Sequence, residues 1–397
     1  GDPRAPPNRR SREGLPIMTD PLVDRALAEA RPVVFWLDRP EHPEPAPPLS
    51  ADLEADLVVV GGGFTGLWTA VTAAEADPGR SIVVLEADTV AFGASGRNGG
   101  FCDASLTHGL ENGIAHWPDE IDTLIRLGNE NLHGLLDVVA RHSIDCSPEP
   151  TGALDVAVAP WQAESLAKSA VIHEAHGRHV TLLDAAATRA EVDSPTYLGG
   201  LWHHDGAVML DPARLAWGLL RVAKSLGVRF FENTPARSIE AVQGAESTTV
   251  RIRTDGGSVG ARNAVVATNA FRPQVRRIRR FVVPVYDHVL VTEPLTGNRL
   301  ATIGWSNRQG LSDAGSQFHY YRLTPDDRIL WGGWDALYHF GNRVGPEYEH
   351  SEPTTRTLAG HFLATFPQLE GVRFTHRWGG PIATTSRFTC AWGTSHR

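Results

Sequence analysis

The sequence predicts an α/β fold, with a parallel sheet and a second domain built on an antiparallel sheet. Three observations carry this. Residues 56–66 read Asp-Leu-Val-Val-Val-Gly-Gly-Gly-Phe-Thr-Gly, an unbroken apolar run opening onto glycines. A second apolar run, Ile82–Leu85, follows after one helical length and ends at Glu86. Further on, residues 281–292, 318–323 and 329–334 are aromatic and β-branched with turn residues between them, the pattern of an antiparallel sheet.

Residues 57–60 are apolar without alternation, as expected of a strand covered on both faces. Gly61, Gly63 and Gly66 then have the G-x-G-x-x-G spacing. The first glycine permits the tight turn, the second lets a pyrophosphate approach the backbone, and the third lets the next helix pack close. Residues 64–76 read as that helix, with Leu67, Ala70, Val71 and Ala74 on one stripe and Pro78-Gly79 ending it. Its free N–H groups and positive dipole end, at Phe64 and Thr65, are expected to face the phosphates. Glu86, about 25 residues beyond Gly61, stands where an acidic residue takes the ribose hydroxyls of an adenine dinucleotide. Together these pieces make a Rossmann-like βαβ unit.

Composition bounds the remaining possibilities. A chain of 397 residues, 42% hydrophobic and 21% charged, is long enough for two or three domains. A net charge of -9 argues against nonspecific nucleic-acid binding. No run of about 18 apolar residues exists, so no transmembrane segment is expected. Cys102, Cys146 and Cys390 form no C-x-x-C pair, and a reducing, cytoplasmic setting is the expectation. Seventeen histidines include no H-E-x-x-H, and no metal site is expected. Residues 1–50 read as an N-terminal tail and an extended proline-rich connector. Disorder is expected over 1–16, with Met18 as a possible true start.

Beyond Glu86, residues 92–101 are dense in small side chains, which suits backbone running against a ligand. Ala94, Gly99 and Gly100 supply the close approach there, and Ser95, Arg97 and Asn98 are candidate donors to phosphate or ring atoms. Residues 119–142 and 161–176 have helical periodicity, and 154–159 reads as a strand. Asp211-Pro212 fits the cap of a helix over 213–226, ended by Gly227. Residues 228–231, 249–253 and 258–261 are strand-like, and 264–268 is another buried strand that brings Thr268 to the site.

These pieces resemble the FAD-dependent oxidoreductases of the D-amino-acid oxidase type, most nearly the gamma-glutamylputrescine oxidase-like branch. The resemblance rests on residues 58–70, 84–87 and 92–100, on Asp211-Pro212, on 267–270 and 328–333, and on Arg377-Trp378-Gly379-Gly380-Pro381. It implies a discontinuous FAD-binding domain over 51–110, 150–275 and 376–397. The same resemblance implies an inserted α+β substrate domain over 111–149 and 276–375. The implied reaction moves a hydride from the carbon bearing an amine to the flavin, for an amine or amino-acid substrate. Electrons then pass to oxygen or a carrier. No second G-x-G-x-x-G exists for a nicotinamide, although a nicotinamide-dependent Rossmann enzyme and a flavin-binding chain without turnover remain alternatives.

By the resemblance, amino-acid-oxidising members place a carboxylate-binding arginine where Ile382 stands. That favours an amine, unless Arg322 or Arg387 supplies the charge. The family's next glycine-rich segment and helix lie beyond Arg397, so the expectation is a truncated C-terminus with an open flavin pocket. Along 318–323, Phe318, Tyr320 and Arg322 share one strand face. Tyr320 and Arg322 are the candidate catalytic residues, with Trp334 against an alkyl chain.

Overall fold

The apolar run at 57–60 lies at the centre of a six-stranded sheet in the computed structural model, which describes residues 20–243, 248–271 and 280–394. The expectations for residues 1–16 and Met18 lie outside those residues. The strand Leu53–Val60 pairs in parallel with Ile82–Leu85 on one side and Ser258–Val266 on the other. Arg229–Phe231 adds a further parallel strand, and Thr248–Arg253 and Ser238–Gln243 complete the other edge in antiparallel fashion. Leu57 and Val59 pack against the helices Phe64–Ala76 and Pro212–Ser225, while Val58 and Val60 meet Leu49, Ile252 and Val259 on the opposite face. Cover on both faces is why this strand shows no alternation.

The helix Phe64–Ala76 buries Gly66, Leu67, Ala70, Val71 and Ala74, the stripe read from its sequence. A Cβ at Gly66 would overlap the Gly61 carbonyl oxygen, so only glycine lets helix and turn cross here. Asp211 caps Pro212–Ser225 by accepting the Arg214 N–H at 3.0 Å, and Gly227 follows with φ 88°.

The second sheet has eight strands, in the order Phe374–Thr385, Val282–Thr292, Ile329–Gly333, His319–Leu323, Gly310–Asp313, Ala153–Ala157, Gly199–His203, Val180–Asp184. Its pairs are antiparallel apart from Gly310–Asp313 with Ala153–Ala157. Strands expected with the dinucleotide sheet, in 150–275 and 376–397, are therefore divided, and those at 153–157, 180–184, 199–203 and 374–385 belong here. The reason is packing: Leu154, Val156 and Phe374 share one core with Leu311, Tyr321 and Trp331. Local sequence specifies a strand but not which partner it pairs with.

Residues 20–50 also depart from a plain tail and connector. Asp20 accepts the Leu22 N–H at 2.8 Å and caps the helix Pro21–Leu27, whose Val23 and Ala26 enter the eight-stranded core. Trp36 is fully buried and donates from Nε1 to the Asn98 carbonyl at 2.9 Å. Two core contacts from seven residues are too few to show as periodicity. The helix Glu352–Thr365 is hidden differently, because Thr354 and Thr355 occupy its buried face beside Leu358, Ala359 and Phe362. No helix among the described residues is long and apolar enough to cross a membrane.

The Gly66 contact yields a stability prediction. Gly66→Val places a branched side chain against backbone that cannot yield, and should lower the melting temperature by about 5 °C or more. Differential scanning calorimetry of the two proteins measures the shift.

Candidate active site

A cavity of about 1130 Å³ opens beyond the C-terminal ends of Leu53–Val60 and Ile82–Leu85, where open parallel sheets bind ligands. Gly61, Gly63, Phe64, Thr65, Glu86, Ala94, Ser95 and Thr268 all line it. Gly61 turns with φ 113°, and a Cβ there would meet the Ala267 carbonyl oxygen at 2.5 Å. Gly63 is the N-cap of the helix and offers no capping side chain, and its added Cβ would lie 2.9 Å from Ser95 Oγ. The first helical turn, at Phe64 and Thr65, thus begins at the cavity wall with no capping side chain from Gly63. The Phe64 N–H donates to Ser95 Oγ at 2.8 Å. Glu86 accepts the Gly62 N–H at 2.5 Å and the Asp88 N–H at 2.9 Å, and burial raises its carboxyl above the ordinary value. Glycines with no room for a side chain, a helix N-terminus at the cavity wall and a half-buried acid beside them fit an adenine dinucleotide. Gly66 lies behind the cavity wall as the packing glycine.

The glycine-rich segment divides its residues. Ser95 reaches the dinucleotide cavity, whereas Arg97, Asn98 and Gly99 line a second cavity of about 890 Å³. Ala94 lines both. Arg97 is bound within the protein: Nε donates to the Phe92 carbonyl at 2.8 Å, and Nη1 donates to the Gly379 carbonyl at 2.9 Å and pairs with Glu349 at 2.7 Å. Asn98 Nδ2 donates to the Ala94 and Ser95 carbonyls, and its Oδ1 accepts the Gly100 N–H at 2.8 Å. Both side chains thus shape the loop from inside. Gly100, at φ 78°, lets the backbone pass the Leu210 carbonyl.

The eight-stranded sheet floors the second cavity, and alternation sorts its side chains. Leu154, Val156, Leu311, Tyr321, Leu323 and Leu290 face the core, while Asp155, Ser312, Tyr320 and Asp287 line the cavity. Register aligns Gly332 with Tyr320, Tyr320 with Ser312, and Ser312 with Asp155. Tyr320 donates its hydroxyl to Asp287 Oδ2 at 2.5 Å. Burial pushes the Asp287 carboxyl up to about 6, and raises the Tyr320 phenol well above its usual range. Two strands further along, about 10 Å at the usual strand spacing, Asp155 accepts from Ser312 Oγ at 2.5 Å and pairs with His203 Nε2 at 3.1 Å. Burial opposes charge on His203, but Asp155 raises its pKa overall. Phe101, Leu124, Ile125, Leu166 and Phe318 supply apolar wall between these groups.

Arg322 is not part of this surface. It is fully buried, lines neither cavity, and donates from Nη1 to the Gly100 carbonyl at 2.9 Å and the Leu210 carbonyl at 2.8 Å. It shares a strand face with Tyr320, but the loop at Gly100 lies over it. Burial pushes its pKa down to about 10. Trp334 stacks on His319 at 5.0 Å and also lines neither cavity. Arg387 lies over the Trp117 ring at 5.6 Å, outside both lining sets, whereas Ile382 lines the second cavity and is 49% exposed. Asp287 and Asp155 were missed by sequence reasoning. An acid inside the apolar run 281–292 was the available signal for the first.

The profile of the family DAO, FAD dependent oxidoreductase, matches residues 56–393. Gamma-glutamylputrescine oxidoreductase of Escherichia coli (strain K12) is 33% identical over 346 residues, spanning 85% of this chain and 76% of the relative. Sarcosine oxidase subunit beta of Rhizobium meliloti (strain 1021) is 23% identical over 356 residues, 87% of this chain and 76% of the relative. Among solved structures, glycine oxidase from Geobacillus kaustophilus has a TM-score of 0.67 at 17% identity, covering 87% of this chain and 86% of that one, a likeness of fold. The glycine-lined cavity, its acid at the strand end and the family match over nearly the whole chain agree. This chain belongs to the FAD-dependent oxidoreductase family.

Proposed function

We propose that the protein oxidises a cationic aliphatic amine and passes the electrons to oxygen or an electron carrier. The observation that carries this is the second cavity's wall: carboxylates at Asp287 and Asp155 on apolar ground, with Ile382 lining it at the position that the family resemblance gives to a carboxylate-binding arginine. The cavity's arginines are engaged elsewhere, Arg97 by Glu349 and Arg178 by Asn129 and Asp205. An ammonium ion gains from such a wall, whereas the carboxylate of an α-amino acid meets no unpaired arginine among the described lining residues. The name of the gamma-glutamylputrescine relative agrees with an amine substrate.

Bound FAD supplies the two-electron acceptor. The protein's own part is to hold the amine and manage its proton. Once ionised, Asp287 attracts the ammonium group in a poorly solvated site, where charge attraction is stronger than in water. The amine must lose a proton before its carbon gives up hydride, and Asp287 is placed to accept it. Tyr320 orients that carboxylate and, as a donor, favours its ionised form.

For an aliphatic amine, kcat/KM should exceed that for the α-amino acid of equal chain length by about tenfold or more; a preference for the amino acid would refute the amine reading. Because the Asp287 carboxyl titrates at about 6, kcat/KM should rise with pH through that value. Asp287→Asn should remove this limb and cost about 100-fold, while Tyr320→Phe should move the limb to higher pH by deleting the donor that favours the carboxylate. Gly63→Val should weaken FAD binding by tenfold or more, roughly, through loss of the backbone approach; flavin-fluorescence titration of the apoprotein measures it.

A further inference from the structure

A strap between the strand Ile329–Gly333 and the helix Glu352–Thr365 crosses from the eight-stranded sheet to the dinucleotide cavity, where Gly341, Asn342, Arg343 and Val344 line the wall. It is pinned at several points. Tyr286 and Leu337 exchange backbone hydrogen bonds at 2.8 and 2.9 Å. The Tyr286 hydroxyl donates to the Gly345 carbonyl at 3.2 Å and accepts the Gly345 N–H at 2.9 Å. Asn342 Nδ2 donates to the Val282 carbonyl at 3.3 Å, and Glu349 is held by the buried Arg97 at 2.7 Å. The strap's path over the cavity is thus set by contacts on either side of Arg343.

Charge distinguishes Arg343 from the rest of that wall. Among the described residues lining the cavity, the only cations are Arg237 and Arg343. Arg237 is committed to Asp255 through two bonds of 2.9 and 2.6 Å. Arg343 has no carboxylate partner among the described residues, while Glu86 and Asp88 make the adjacent wall acidic. A dinucleotide pyrophosphate brings further negative charge into this space. We infer that Arg343 is a cofactor-binding residue that neutralises the pyrophosphate of bound FAD, and that the strap is the clasp that carries it there. The glycine-rich turn supplies neutral backbone donors, and the strap supplies the positive charge that the turn lacks.

The test is FAD affinity of the apoprotein across a charge series at Arg343, read by quenching of flavin fluorescence, so that turnover is not needed. Melting of each apoprotein serves as the check on folding, which an exposed side chain should leave unchanged. Arg343→Lys should bind within a few fold of wild type, Arg343→Gln about tenfold more weakly, and Arg343→Glu about 100-fold more weakly. Affinities that ignore the sign of charge, with lysine, glutamine and glutamate alike, would overturn the assignment. So would an Arg343→Gln protein that binds FAD as tightly as wild type.

Discussion

A guanidinium buried where the two sheets meet is the contact on which the remaining arrangement depends. A buried charge must be fully paired, and removing one partner of such a pair costs about 3–5 kcal/mol. Arg97 meets that demand with the Phe92 carbonyl in its own loop, the Gly379 carbonyl on the strand Phe374–Thr385, and the Glu349 carboxylate on the strap. Two indoles secure the same loop from outside: Trp378 donates to the Arg97 carbonyl and Trp36 to the Asn98 carbonyl, both at 2.9 Å. Gly380 leaves room for the arginine stem, since a Cβ there would press on Arg97 Cδ at 3.0 Å. Segments more than 250 residues apart in sequence are thereby fixed within one hydrogen-bonded knot, and Ala94, at its edge, lines both cavities.

The two cavities work by different physics. The dinucleotide cavity depends on the absence of side chains at its glycine turn, where a Cβ at Gly61 would meet the Ala267 carbonyl and one at Gly63 would meet Ser95 Oγ. The second cavity is lined by side chains placed at strand-to-strand intervals on a rigid sheet. Asp287, Tyr320, Ser312 and Asp155 lie across successive or near-successive strands, so their separation is set by hydrogen-bonded register rather than by loop conformation. Such a floor fixes the spacing of its polar groups relative to the glycine-rich loop.

What was legible in the sequence was local. Gly61, Gly63, Gly66 and Glu86 are set by sterics and spacing within one βαβ unit, and each lies where that spacing predicts. What failed was non-local. Alternation correctly gives Tyr320 and Arg322 a common face, but only the folded chain shows that Gly100 and Leu210 cover the second of them. The glycine-rich loop marks Arg97 as a donor to phosphate or ring atoms, but local sequence does not show its partners Gly379 and Glu349, which come from the distant C-terminal third. The strands at 153–157 and 374–385 carry no local mark of which sheet they join. Asp155 became visible as a site residue only once Ser312 and His203 were brought beside it.

The most direct test of the whole account is a crystal structure of the protein with FAD and a slowly oxidised aliphatic amine. The account predicts one cofactor passing Ala94 from the Glu86 end of the first cavity to the second, with the amine nitrogen beside Asp287 and Tyr320. A flavin whose reactive ring lies away from the second cavity, or an amine bound remote from Asp287, would contradict it.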